Sequence, residues 1–181
     1  MKKFKLGRLV VATLALVIFA SAPIITQAKT KIYIAQQGSK APVVKKGESS
    51  ITVPVVKNSK IVFKAPKKGK YNIVITDIIS ADESAKLKIK VGKKIFKQLE
   101  TRYILHYSNK LFENGIDKEK ALQKGYKLMD KLAAKGWYST PIDVTVELRK
   151  GQKIAITHGI PKSRTGQAEG VVYTLNISKV K

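Results

Sequence analysis

The sequence predicts a mainly β domain with an α insertion: a two-layer antiparallel β-sandwich, jelly-roll-like, interrupted by a helical hairpin at residues 94–136. Two observations predict this fold class. Short segments in which apolar and polar residues alternate lie on both sides of the hairpin, as expected for antiparallel strands that are buried on one face. Within the hairpin, apolar residues recur instead at three- and four-residue steps, which is typical of an amphipathic helix.

The helical hairpin has a stop signal and a start signal at its centre. Asn114 and Gly115 tolerate the left-handed backbone conformation with which helices end. Asp117 is a favourable N-cap for a second helix, which runs to Gly136. We expect each apolar stripe to pack against an edge or a face of the sandwich. The first stripe comprises Ile95, Phe96, Leu99, Tyr103, Ile104, Tyr107 and Leu111. The second comprises Leu122, Tyr126, Met129, Leu132 and Ala133.

The alternating segments predict eight short strands. They lie at 31–35, 50–56, 60–64, 70–76, 86–91, 142–148, 153–158 and 171–178. Because the strands on either side of the helices are too few to enclose a core alone, we predict a single domain at 29–181. An α+β domain, with one sheet covered on one face by both helices, is the alternative.

The first 28 residues have the pattern of a secretory signal peptide. A basic start precedes the apolar run at 9–22, Pro23 ends the run, and Thr26-Gln27-Ala28 forms a small-x-small cleavage site before Lys29. A retained membrane anchor is the alternative, but the run is shorter than the ~20 residues that span a bilayer. The chain contains no Cys, so it has no disulfide. We therefore expect a secreted protein that is extracellular or associated with a bacterial cell wall.

The mature chain is strongly basic. Without the four basic residues of the leader it has 32 Lys and Arg against 12 Asp and Glu, a net charge of about +20, and only three of the 32 are Arg. Lys is a hydrated point charge, whereas Arg forms the planar two-bond contacts that read bases. This composition favours diffuse attraction to a polyanion, although lysines that serve only solubility would look the same. We expect no sequence-specific binding of nucleic acid.

One stretch of the chain shows a resemblance to a known class of modules. Residues 61–75 read Ile-Val-Phe-Lys-Ala-Pro-Lys-Lys-Gly-Lys-Tyr-Asn-Ile-Val-Ile, a strand, a Pro/Gly turn and a Gly-x-Tyr strand. The segment 50–76 resembles the jelly-roll modules of the pre-peptidase C-terminal and carbohydrate-binding type that are appended to secreted bacterial hydrolases. The helical hairpin departs from their pattern. The resemblance implies a module that binds or assists rather than one that catalyses.

Three features are candidates for ligand binding. The polar loop at 159–170 is long enough to be functional and rich in cations and hydrogen-bond donors. Its candidate residues are Lys162, Ser163, Arg164 and Thr165. The alternation at 86–91 turns Lys86, Lys88 and Lys90 outward. Trp137 and Tyr138 follow the second helix, where an aromatic ring either fills the core or, if exposed, stacks on a sugar.

No catalytic cluster stands out, and we expect neither a metal nor a cofactor. A triad of Ser163, His158 and Asp143 lacks the Gly-x-Ser-x-Gly elbow. Asp143 and Glu147 could form an acid pair but are four residues apart on one strand. A loop that contains Asp77, Asp82 and Glu83 offers oxygen ligands for calcium without the spacing of a known calcium loop.

These patterns predict a non-catalytic binding protein of the bacterial cell envelope. Its partner would be an anionic wall polymer or a glycan, held by the Lys-rich surface. The first alternative is a membrane-acting toxin or antimicrobial protein that uses the helical hairpin on an anionic membrane surface. The second is a small cell-wall hydrolase that depends on Asp143 or Glu147.

Overall fold

The computed structural model describes residues 30–181, so the predicted signal peptide at 1–28 lies outside the described residues. The strands are β1 (Lys31–Ile34), β2 (Val43–Val44), β3 (Gly47–Val53), β4 (Lys60–Lys64), β5 (Gly69–Ser80), β6 (Lys86–Val91), β7 (Lys94–Leu99), β8 (Trp137–Tyr138), β9 (Ile142–Leu148), β10 (Lys153–His158) and β11 (Val171–Lys179). The helices are α1 (Tyr103–Glu113) and α2 (Lys118–Ala133), and a short 3-10 helix covers Gly38–Lys40.

The strands form two sheets that share strands from both sides of the helices. The first sheet has the order β1-β3-β11-β5-β9, and the second has the order β2-β4-β10-β6-β7-β8. Strand β11 lies between β3 and β5, and β10 lies between β4 and β6, although both follow the helices in the chain. The predicted β-sandwich with a helical insertion is confirmed. The sheets are mixed rather than wholly antiparallel, because the pairs β1/β3, β2/β4 and β7/β8 are parallel.

One hydrophobic core lies between the two sheets. The predicted alternation of β11 is observed, since Val171, Tyr173, Leu175 and Ile177 are all buried. Successive side chains of a strand point to opposite faces, so this pattern turns one whole face of β11 inward. Across the core, the rings of Phe63 on β4 and Tyr71 on β5 meet edge to face with 5.1 Å between their centroids. Such packing holds the two layers together.

The prediction that the first helix starts at Lys94 is wrong. Residues Lys94–Leu99 form β7, which pairs antiparallel with β6 from Lys86↔Leu99 to Val91↔Lys94. The two strands are joined by Gly92 and Lys93, and Gly92 has a φ of +59°, a conformation that suits a two-residue hairpin turn. The apolar spacing of 95, 96 and 99 favours a helix over a strand, but the turn at Gly92 and the pairing with β6 override it.

The two helices pack on each other through small residues. Asp117 caps α2, accepting hydrogen bonds from the backbone N–H groups of residues 119 and 120 at 3.0 and 3.2 Å. The buried residues of α2 are Ala121 and Gly125, and Gly125 lies against Ser108 and Ile104 of α1. The expectation that the apolar stripe of α2 is buried is wrong for three of its five residues. Leu122, Tyr126 and Met129 are 38%, 60% and 45% exposed, because the close contact uses the small residues beside them.

A histidine and a tyrosine form a buried polar pair between the sheets. His158 on β10 and Tyr173 on β11 are each 1% exposed. Nδ1 of His158 lies 3.0 Å from the carbonyl oxygen of Ser59, and Nε2 lies 2.9 Å from the hydroxyl of Tyr173. Since a carbonyl only accepts, Nδ1 carries the proton and Tyr173 donates to Nε2. Burial, opposed in part by the bond to Ser59, lowers the pKa of His158 to about 4.

Candidate binding groove on the outer face of the second sheet

Strand β6 presents a row of cations on the outer face of the second sheet. Lys86, Lys88 and Lys90 alternate with the buried Leu87 and Ile89. Residues two apart on one strand are about 6.7 Å apart, so the three lysines form an evenly spaced row. Burial of Leu87 and Ile89 keeps the three lysines on the outer face, because the opposite orientation of β6 would expose its apolar side chains.

Strand register places an aromatic residue on the same face of the sheet, two strands away from the middle lysine of this row. Lys88 pairs with Lys97 of β7, and Lys97 pairs with Trp137 of β8. Directly paired residues share a face, and two strand spacings put Trp137 about 10 Å from Lys88. The amino group between them does not contribute, because Nζ of Lys97 donates to the carbonyl oxygen of Lys135 at 2.5 Å. The Lys97 ammonium, which lies between Lys88 and Trp137 in the sheet, is thus drawn toward the end of the helical pair.

The loop at 159–170 closes one side of the lysine row. The N–H of Gly159 donates to the carbonyl oxygen of Lys88 at 2.8 Å, and Lys86 and Lys162 exchange two backbone hydrogen bonds, at 2.5 and 2.9 Å. This pairing holds Lys162 beside Lys86. Partial burial lowers the pKa of the Lys86 ammonium, and the positive charge of Lys162 lowers it further. The like charges are therefore close enough to repel each other.

These elements enclose an open groove of about 590 Å³, which we call the lysine groove. Its cationic lining consists of Lys57, Lys86, Lys88, Lys90 and Lys162. Its apolar lining includes Trp137, Ile95 and Ile160, of which the two isoleucines are 65% and 40% exposed. No Asp or Glu lines the groove. Within residues 30–181 the one ion pair closer than 4.0 Å joins Arg102 and Glu83, so the groove lysines have no acidic partner in the described part of the chain.

The structure separates the candidate residues of the loop. Ser163 is buried and its hydroxyl lies 2.8 Å from that of Thr165, which is exposed. The N–H of Arg164 donates to the hydroxyl of Ser84 at 3.1 Å, and the guanidinium lies 5.9 Å from the ring centroid of Tyr107 on α1. Arg164 thus attaches the loop to the helices, and of the four candidates only Lys162 lines the lysine groove.

The two aromatic candidates also differ in position. Trp137 is half-buried and lines the groove, so part of its side chain is accessible from the groove. Tyr138 is 52% exposed and lies outside the groove lining. Adjacent residues of a strand point to opposite faces, which explains why only one of them belongs to the site.

Sequence reasoning missed Lys57, Ile95 and Ile160. Ile95 was placed on a helix, and Lys57 and Ile160 come from a turn and a loop that the sheet brings to the same face. A signal for Ile95 was available in the turn at Gly92, which makes residues 94–99 the hairpin partner of β6. The other two depend on strand pairing between distant segments, which no local pattern contains.

Several acidic residues form a separate network where the loop meets the helices. Ser80 donates to Glu100 at 2.7 Å and to Asp82 at 3.2 Å. Burial opposes ionisation of Asp82, but hydrogen bonds from Ser84, Glu169 and Ser80 outweigh it and lower the pKa of Asp82. Burial and the adjacent Asp82 raise the pKa of Glu169. These carboxyl groups interact with one another and with hydroxyls rather than with the groove lysines.

The residues considered for catalysis do not form a site. Both ring nitrogens of His158 are engaged by Ser59 and Tyr173, so neither is available to Ser163. Asp143 and Glu147 are exposed on β9, and four residues of a strand separate them by about 13 Å, beyond the ~9.5 Å limit for paired glycosidase acids.

Two further findings concern the described residues. Among residues 30–181, no group of three or more His, Asp and Glu side chains is arranged to hold a metal ion. The same part of the chain contains no helix with the length and apolar character needed to cross a membrane.

Comparisons with known proteins give little. No protein-family model matches the sequence, and no curated protein matches it. Among solved structures, a novel beta-glucosidase from Paenibacillus barengoltzii is similar over 80% of this chain, with 10% sequence identity and a TM-score of 0.30. The chain spans 13% of the length of that enzyme. A likeness this low supports no conclusion about activity.

Proposed function

We propose that this protein is a secreted, non-catalytic binding protein of the bacterial cell envelope that associates with an anionic wall polymer or glycan through the lysine groove. The observation that carries the proposal is the meeting of five lysines from three separate segments around one open groove that no acid lines. Like charges held together without a counter-charge create a positive potential that attracts a polyanion.

The leader and the composition support the same location. The pattern at 1–28 is that of an export signal, and outside a bacterial cell the abundant polyanions belong to the wall and the membrane surface. The predominance of Lys over Arg supports contact with repeated charges rather than recognition of one planar group.

The experiment measures binding of the mature protein to purified cell wall, with its anionic polymer retained or extracted. The test variant is Lys86→Gln/Lys88→Gln/Lys90→Gln. At about 1 kcal/mol for each Lys near an anionic surface, three substitutions should weaken binding roughly 100-fold. The matched control is Lys120→Gln/Lys124→Gln/Lys127→Gln on α2, which removes the same charge from a different surface and should have a much smaller effect.

Salt provides a second readout. Binding should be strong at about 0.1 M salt and largely lost at about 1 M, where the screening length falls to ~3 Å. Binding that persists at high salt, that is the same after extraction of the polymer, or that the two triple variants weaken equally would contradict the proposal.

The exposed stripe of α2 supports a second candidate function, action on an anionic membrane. Leu122, Tyr126 and Met129 form an accessible apolar face. However, at about 100° per residue, four of the five lysines of α2 lie roughly 140–200° around the helix from Leu122. These are Lys120, Lys124, Lys127 and Lys131, whereas Lys118 lies about 40° from Leu122. One lipid surface could not contact both faces together, and this geometry places the membrane function second.

A further inference from the structure

We propose that the lysine groove recognises a phosphate-bearing glycan, with a sugar ring packed on Trp137 and the phosphate held between Lys86 and Lys162. This inference rests on the proposed function and names the class of ligand that the groove selects. It adds a requirement that electrostatic attraction alone does not impose, namely that the polyanion carry a sugar ring.

The aromatic end of the groove suits a sugar ring. Trp137 lies on the short edge strand β8, half-buried, with the 65% exposed Ile95 on the neighbouring strand β7. Both line the groove. An aromatic face beside an aliphatic side chain offers an apolar surface on which the C–H face of a pyranose can pack. The Lys97 ammonium is hydrogen-bonded to the carbonyl oxygen of Lys135, so it does not cover this apolar surface.

The cationic end of the groove suits a phosphate. The backbone bonds between Lys86 and Lys162 hold these residues of different segments side by side. The charge of Lys162 acts on the Lys86 ammonium, which lies 5.9 Å from the ring centroid of Tyr103. A phosphate monoester carries a charge of about −1.5 to −2 and three acceptor oxygens, so it can accept hydrogen bonds from both ammonium groups and balance their charge. A carboxylate carries one negative charge. This difference favours phosphate over the carboxylate of an acidic sugar.

The two ends are a suitable distance apart. Trp137 is two strands away from β6, and Lys86 is two residues along β6 from the register position of Trp137. These steps separate the two backbone positions by about 12 Å. The lysine side chains extend into part of that distance, so a ligand of one or two sugar rings with an attached phosphate can contact both ends.

The test uses three defined probes: maltotriose, maltotriose bearing one 6-phosphate, and a glycerol phosphate trimer, which has charge but no ring. Trp137 is the single Trp of the chain, so its fluorescence reports directly on the site. We expect the phosphorylated trisaccharide to change this fluorescence and to bind at least about tenfold more tightly than either other probe. Calorimetry measures binding for the variants that lack Trp.

Three variants separate the two ends of the groove. Trp137→Leu should reduce binding of the phosphorylated trisaccharide to the level of the glycerol phosphate trimer and leave the trimer unaffected. Trp137→Phe should restore part of the preference. Lys86→Gln/Lys162→Gln should lower affinity for both charged probes. Tyr138→Leu, which changes the adjacent aromatic outside the groove, is the matched control and should bind as the wild type does.

The outcomes distinguish this inference from the proposed function. If the glycerol phosphate trimer binds as tightly as the phosphorylated sugar, or if Trp137→Leu retains the preference, sugar recognition is refuted while the polyanion function stands. If neither charged probe binds and the wall assay shows no dependence on Lys86, Lys88 and Lys90, both proposals fail. Binding of unphosphorylated maltotriose at equal strength would refute the role assigned to the phosphate.

Discussion

His158 should make the stability of this domain depend on pH between about 6.5 and 4. The folded protein binds a proton at this ring weakly, since burial lowers its pKa to about 4, whereas the unfolded chain binds it with the usual pKa of about 6.5. A group whose pKa is lowered by folding stabilises the folded state when it is deprotonated. The contribution is therefore complete above about pH 6.5 and is lost as the pH falls toward 4.

The size of the effect follows from the two pKa values. At 1.36 kcal/mol per pKa unit, a change from 6.5 to about 4 corresponds to roughly 3 kcal/mol of the free energy of unfolding. That is a large part of the stability of a typical domain, about 5–15 kcal/mol. The structural cause is specific, because a proton on Nε2 would remove the acceptor that Tyr173 needs in a site where His158 is 1% exposed.

The assay is urea unfolding at a series of pH values from 7.5 to about 4, on the wild type and on His158→Gln. A Gln side chain can still donate to Ser59 and accept from Tyr173, but it does not titrate in this range. Carboxyl groups such as Glu169 contribute to both proteins, so the difference between the two profiles isolates the histidine. We expect the wild type to lose about 3 kcal/mol more than the variant. Parallel profiles would refute the reasoning.

Two further predictions concern the helical pair. Gly125→Ala should destabilise the domain by about 1 kcal/mol. A Cβ at residue 125 would meet the hydroxyl of Ser108, and such overpacking costs ~1–3 kcal/mol. The better helix propensity of Ala offsets ~1 kcal/mol of that cost. Ser108→Ala/Gly125→Ala should recover that loss in urea unfolding, and a single variant more stable than the wild type would contradict the contact. If the exposed stripe acts on lipid, the protein should release dye from anionic vesicles, and replacing Leu122, Tyr126 and Met129 by Ser should abolish release. Release that is unchanged by those substitutions would exclude the stripe as its cause.

The parts of the fold that depend on local alternation could be predicted from the sequence. Ile142–Leu148 and Val171–Lys179 place their apolar residues inward as the period of two requires. Strand β7 could not be assigned from spacing, because the apolar residues at 95, 96 and 99 follow a helical pattern rather than the alternation of a strand. The deciding feature is the turn at Gly92, whose effect appears only when β6 and β7 are considered as a pair.

The residues of the lysine groove likewise divide into those that a local pattern predicts and those that depend on pairing between distant segments. The outward direction of Lys86, Lys88 and Lys90 follows from one strand, so the sequence was sufficient to find them. The approach of Lys162 to Lys86 and the alignment of Trp137 with Lys88 depend on pairing between segments far apart in the chain. Arg164 looked equivalent to Lys162 in the sequence, and only its contact with Tyr107 shows that it has a different role.

The scarcity of acidic partners has a consequence for where this protein is most stable. With one ion pair among residues 30–181, the many ammonium groups repel each other in the folded state, which dilute buffer does little to relieve. A wall polyanion that binds the folded protein would supply the missing counterions and stabilise it by mass action. The bacterial surface would then protect the protein from unfolding, and molecules that diffuse away from it would be the first to lose their structure.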